Sequence, residues 1–238
     1  MASADATQTA NGGALLVRWQ GLIAPDQAVL KRLESLAGLL LLVLLTGLPL
    51  FTRTGLALVI AACGVLWLLW CLCSPPPERI STISRWLMLF LAIAIVTTGC
   101  SPVPIAASKG LIKLLSYLGV YALLCKLLLS NSRWWDRLIA GLLSGGLLSS
   151  VLALRQVYAS SEELAGWADP NSISAGTIRI YGPLGNPNLL AGYLLPLIPF
   201  AAIALVRWRG VGAQLFAGTT LVLAATATLF TYSRGGWL

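Results

Sequence analysis

An all-α, polytopic bundle of about seven membrane-spanning helices is the fold class this sequence predicts, and three observations carry the prediction. Hydrophobic residues make up 58% of the 238 and charged residues 10%. A soluble domain carries roughly 25% charged residues, so the polar side chains here are too few to cover such a core in water, and the surplus apolar surface must face lipid. The apolar residues gather into runs near the roughly 20 residues that a spanning helix needs. The net charge of +8 is scattered between those runs, as orienting loop charges are. No basic stripe with interleaved aromatics is present, which excludes nucleic acid as a partner.

The elements follow in chain order. Residues 1–35 read as a cytoplasmic tail. No basic segment precedes an apolar one at its start, so it is not a cleaved signal peptide. Leu15, Leu16, Trp19, Leu22 and Ile23 fall at helical spacing and predict a short interfacial helix closed by Pro25. Apolar runs at 36–51, 55–73, 86–99, 111–129 and 138–158 predict the first five spanning helices, over 36–158. The third is short because Pro102 and Pro104 stop it, and it borrows residues from Ile80 onward. Residues 159–188 form a long external loop holding Glu162, Glu163 and Asp169. Loops of that length are usually functional or disordered. Runs at 189–206 and 211–232 complete the bundle within 189–238. Pro196 and Pro199 are expected to kink the first of these.

Orientation follows from the cations. With the N-terminus inside, Arg18, Lys31, Arg32, Arg79, Arg85, Arg133, Arg137, Arg207 and Arg209 lie in cytoplasmic segments. Only Arg53, Lys109, Arg179 and Arg234 lie in outside segments, while Lys113, Lys126 and Arg155 sit within runs near their ends. That asymmetry satisfies the positive-inside rule and places the chain in the inner (plasma) membrane with 159–188 periplasmic.

Cofactor chemistry is not expected. Cys63, Cys71, Cys73 and Cys125 lie within apolar runs and Cys100 at the end of one, and the chain has no CxxC pair and no histidine. These cysteines read as packing residues, with no metal ligand set. No P-loop is present. Gly141, Ser144, Gly145 and Gly146 make a small-residue face suited to close helix packing.

Two stretches carry possible chemistry. In Tyr181-Gly-Pro-Leu-Gly-Asn-Pro-Asn188, the Gly185–Pro187 turn is expected to place Asn188 as the cap of the sixth helix. A helix N-terminus there offers backbone N–H groups to an anion, although a turn and cap alone also account for the residues. In Thr231-Tyr-Ser-Arg-Gly-Gly-Trp237, Arg234 reads either as a snorkelling lipid anchor or as a fixed cation for phosphate or carboxylate. Lys109, Lys113, Arg155 and Arg179 fall at the same outer face and would join Arg234 in one basic pocket.

Gln156, the segment Glu162-Glu163-Leu164-Ala165-Gly166-Trp167, Arg179, Gly185-Asn186-Pro187-Asn188-Leu189-Leu190-Ala191 and the Ser233-Arg234-Gly235 motif together resemble the IctB family. Its members are cyanobacterial proteins named as bicarbonate transporters, within the larger O-antigen ligase and polymerase superfamily. The resemblance runs from about Leu33 to the last residue. It implies about ten to twelve spanning helices in a whole member, so this chain reads as truncated at its C-terminus. It also implies metal-independent handling of an undecaprenyl-diphosphate-linked glycan by outer-face arginines, with Arg234 as the electrostatic clamp. Arg155, Arg179, Asn186, Asn188 and Ser233 form the surrounding binding set. The partner histidine loop of the ligases has no counterpart here.

Two functions follow from different classes. One is glycan transfer from the lipid-linked donor. The other is bicarbonate transport or inorganic-carbon accumulation, which would favour a midplane site at broken helices. The absence of charge near the middle of any run counts against that site. A purely structural membrane protein is the third reading. The topology is checked by labelling Ser172→Cys in a background lacking the native cysteines. An impermeant maleimide is expected to react in intact cells; reaction only after lysis would invert the orientation.

Overall fold

The computed structural model describes residues 26–74, 81–158 and 179–237. The interfacial helix expected around Leu15–Ile23 and residues 159–178 of the long loop lie outside these. The described residues are helical, with no strand among them. In order they form α1 (Gln27–Gly47), α2 (Arg53–Cys73), α3 (Thr82–Gly99), α4 (Pro104–Ser130) and α5 (Trp134–Arg155). A 3-10 turn at Gln156–Tyr158 and another at Gly182–Leu184 follow. Then come α6 (Pro187–Leu194), α7 (Leu197–Arg207), α8 (Val211–Phe230) and the single turn α9 (Arg234–Trp237).

Six segments are long and apolar enough to cross a membrane: α2, α3, α4, α5 with its following turn, α6 with α7, and α8. The chain is thus an integral membrane protein. The first apolar run differs from the expected 36–51. Its helix begins at Gln27, so Lys31, Arg32 and Glu34 occupy the opening turns. It ends at Gly47, because Pro49 has no N–H to continue the ladder. Leu50 and Phe51 instead donate back to the Gly47 carbonyl at 2.8 and 2.9 Å. The 86–99 run does extend upstream, to Thr82, where Ser81 Oγ accepts from Ser84 N at 3.1 Å.

The chain divides into two compact units. The first comprises the described residues of Met1–Gly38 and Ile60–Ser130. Within it, α2 and α4 approach closely at Gly64 and Gly119, where a Cβ on Gly119 would stand 3.5 Å from the Gly64 Cα. Their ends are tied by Lys126, whose ammonium donates to the carbonyls of Trp70 and Ser74, each at 3.2 Å, and lies 5.6 Å over the Trp70 ring. The Trp70 carbonyl also accepts from Ser74 N at 2.9 Å, and a cation at this helix end suits the helix dipole. Helix α3 has no buried residue and is held to α4 partly by a 3.0 Å hydrogen bond between Ser84 Oγ and Tyr121 OH.

The second unit comprises Leu39–Val59 and Asn131–Leu238. Its core is built from Leu143, Leu190, Leu194 and Leu197, with Ala201, Ala204, Ala217, Ala224 and Ala227 on α7 and α8. Alanine at those positions lets helix backbones come close, where packing rather than water exclusion holds helices together. Trp208–Gly210 turns α7 into α8, and Gly210 takes φ 116°, open to glycine. At this end Asp136 accepts from Trp208 Nε1 at 3.1 Å and pairs with Arg207 at 3.5 Å. The small-residue face of α5 packs as expected. A Cβ on Gly145 would stand 2.6 Å from the Thr46 carbonyl oxygen, and one on Gly146 2.6 Å from Leu197 Cδ1.

Gly145→Ala is therefore expected to lower stability by about 1–3 kcal/mol through overpacking against backbone. Gly212→Ala, where an added Cβ meets nothing within 4 Å, is expected not to. Thermal unfolding of the two variants in detergent, side by side, checks the difference.

Candidate functional site

The site forms where α5, α6 and α8 end together. Helix α5 runs out into Gln156, whose side-chain oxygen accepts from the backbone N–H groups of Tyr181 and Gly182 at 3.0 and 2.9 Å. Gly182 has φ 54°, and a Cβ on it would press to 3.0 Å against that of Ala153. Glycine thus meets both the backbone and the space requirement. Upstream, Ile180 donates to the Phe230 carbonyl at 3.3 Å and Arg179 Nε to that of Thr231 at 3.1 Å. Two carbonyls at the end of α8 are thereby satisfied by the incoming segment.

Helix α6 is capped by Asn186, which corrects the expectation of Asn188. The Asn186 side chain accepts from Asn188 N at 2.8 Å and Leu189 N at 3.4 Å. The reason is Pro187. Its fixed φ and missing N–H suit the first helical position, and it holds the preceding residue extended, as the φ of −148° and ψ of 125° at Asn186 show. Asn188 therefore lies inside the helix, and its side-chain oxygen accepts instead from Arg179 Nη2 at 3.3 Å. Leu190 N donates to the Asn186 carbonyl at 3.0 Å. The first-turn N–H groups of α6 are thus occupied, so an anion here is held by side chains and not by the helix N-terminus. As expected, the prolines interrupt the run: α6 stops at Leu194 and α7 starts at Leu197.

Beyond α8, Tyr232 adopts φ 48°, a left-handed conformation that helix ends usually assign to glycine and that strains other residues. This turn reverses the chain so that Ser233 is buried, 5% exposed, and Arg234 is exposed. Gly236 lies against α6: a Cβ there would stand 2.8 Å from that of Ala191.

Arg179, Asn188, Ser233 and Arg234 line one cavity of about 590 Å³, together with Gly192, Leu195, Tyr232, Gly235 and Gly236. Of the residues singled out in the sequence, Asn186 serves as the cap and does not line it. Arg155 is exposed at the end of α5 and does not line it either. Lys109 and Lys113 belong to α4, in the first unit. A guanidinium has five N–H donors; Arg179 uses some on Thr231 and Asn188 and keeps the rest, while Arg234 bonds to no other described residue. Asp136 is the only acid among the described residues of this unit. It stands near the opposite end of α5, about 30 Å from Gln156. No described carboxylate therefore offsets the two guanidinium charges.

Sequence reasoning gave no role to Gln156, Gly192 or Leu195, and offered Tyr232 only as an interface anchor. The position of Tyr232 as the last residue of an apolar run was the available signal, but tyrosine is not the residue a left-handed cap normally selects.

What the fold and site define is a class: an α-helical integral membrane protein with a two-arginine cavity at one end of its second unit. No family model, curated protein or solved structure matches the chain.

Asn186→Ala is expected to cost about 0.5–2 kcal/mol of local stability by removing the cap, and to speed exchange of the Asn188 and Leu189 amide hydrogens. Asn188→Ala is expected to leave those amides protected. Hydrogen exchange on both variants checks the assignment.

Proposed function

We propose that this protein binds a lipid-linked diphosphate glycan in the Arg179–Arg234 cavity and serves glycan transfer, in the manner of the O-antigen ligase superfamily that its IctB-like motifs resemble. The observation that carries the reading is the composition of the cavity walls. Two guanidiniums, the Asn188 amide and Ser233 line it together with Gly192 and the exposed Leu195, which follow Asn188 by about one and two turns of chain. Such a lining suits an anionic head joined to an apolar chain. A bicarbonate ion has four heavy atoms and no apolar part, and would leave most of the volume unused.

In this reading the acceptor sugar's hydroxyl oxygen attacks the anomeric carbon of the donor. The new C–O bond forms as the bond to the diphosphate oxygen breaks. The hydroxyl proton passes to water, and the electron pair of the broken bond stays on the diphosphate oxygen. Arg234, aided by Arg179, stabilises that developing charge, which is electrostatic catalysis by preplaced donors. The nine-to-four distribution of cations supports a cytoplasmic N-terminus; with α1 crossing ahead of the six apolar segments, the cavity then faces the periplasmic side of the inner membrane. One observation favours bicarbonate transport instead: the helix break between Leu194 and Leu197, since transporters bind at interrupted helices.

Arg234→Lys separates a clamp from an anchor. Lysine snorkels as well as arginine but lacks the planar fork that grips a diphosphate. The variant is expected to insert and express normally yet lose complementation of a null strain. Complementation equal to wild type would make Arg234 a lipid anchor. Uptake of labelled bicarbonate in the same strains distinguishes the two functions: restored uptake on expression of the wild-type protein would favour transport.

A further inference from the structure

Gly192 lies in the interior of α6 and lines the cavity between Asn188 and Leu195. Glycine inside a helix weakens it relative to alanine, so its presence asks for a reason. Two of the usual ones do not apply. Its φ is not among the positive values, which are those of Gly182, Gly185 and Gly210. A Cβ built on it meets no atom within 4 Å, so no neighbouring helix requires the close approach seen at Gly145, Gly146 and Gly236. Pro196, four residues on, crowds the Gly192 carbonyl and not its Cβ, so a flexible backbone at Gly192 also eases the break after α6. What the missing side chain does is leave the cavity open along α6. The wall from Asn188 to Leu195 is about 10 Å long. It passes from the arginines to an apolar, exposed leucine.

We infer that Gly192 is a specificity-determining residue. It keeps open the groove along which an apolar chain runs from the anionic head held by Arg179 and Arg234. The site thereby selects lipid-linked diphosphates over free ones. This rests on the proposed anion reading of the two arginines and adds to it the path of the chain. A free inorganic anion uses only the arginine end and is indifferent to residue 192. A lipid-linked one needs both parts.

The test compares inorganic pyrophosphate with farnesyl diphosphate as probes. Binding is measured to the full chain in lipid nanodiscs, with empty nanodiscs as the baseline. Wild type is expected to bind farnesyl diphosphate at least about tenfold more tightly, which burial of two methylene equivalents is enough to supply. Gly192→Phe is expected to abolish that advantage, leave pyrophosphate binding unchanged and melt no lower than wild type. Gly192→Leu is read in the same way should the larger ring disturb folding, and Gly192→Ala is expected to melt higher. An advantage that persists in the Phe and Leu variants, or that wild type lacks, overturns the inference while leaving the arginine reading standing. Farnesyl diphosphate bound and blocked by residue 192, with pyrophosphate not bound at all, upholds the groove and removes the arginine clamp. Failure of wild type to bind either probe overturns both.

Discussion

Backbone polar groups inside a bilayer have no water to bond with, so each must find its partner within the protein. The helix ends of this chain are arranged around that constraint. Where α2 ends, the Trp70 and Ser74 carbonyls are met by the ammonium of Lys126, a charged side chain that apolar surroundings would otherwise exclude. At α8 the final carbonyls are met by Arg179 and Ile180 from a segment far away in sequence. At α6 the opening N–H groups are met by Asn186. Each pairing also brings a particular side chain to a particular place. The candidate site is therefore a consequence of how three helices are terminated, and not a separate addition to the bundle.

Arg179 shows the coupling most clearly. One edge of its guanidinium closes α8 and holds Asn188, while its remaining donors stand at the cavity. A guanidinium fixed in this way is already oriented for an anion, and less side-chain entropy is lost when one binds. Arg234 reaches the same cavity by a different route, through the left-handed turn at Tyr232 and the close packing of Gly236 on Ala191. Strain in the backbone at Tyr232 is thus maintained by contacts on either side of it. Gln156 adds a neutral acceptor that holds the Tyr181–Gly182 backbone without placing a negative charge near the arginines.

Much of this was legible in the sequence. Length and apolarity of the runs announced spanning helices, because lipid leaves few alternatives to a helix whose backbone bonds are internal. Glycines at 141, 145 and 146 announced close packing, since only small residues let helix backbones touch. Prolines 196 and 199 announced the break between α6 and α7. The cap of α6 was misplaced by two residues, because the turn chemistry of Gly185 and Asn186 was weighed without the preference of Pro187 for the first helical position. The span of α1 was misjudged for a related reason: hydropathy sees where an apolar run starts, but a helix starts where its hydrogen bonds do.

The sequence by itself determined the class of the molecule, the order of its helices and the residue types able to meet an anion, because these depend on composition and short-range spacing. Only the tertiary structure decided which of those residues share a cavity. Arg179, Asn188, Ser233 and Arg234 meet there, while Arg155 and Asn186 do not line it. That selection depends on the directions in which α5, α6 and α8 end, and on hydrogen bonds across 52 and 25 positions of chain, such as Arg179 to Thr231 and Tyr181 to Gln156. No local pattern encodes bonds of that span. They exist because buried helix ends take their partners from whatever segment the packing brings to them.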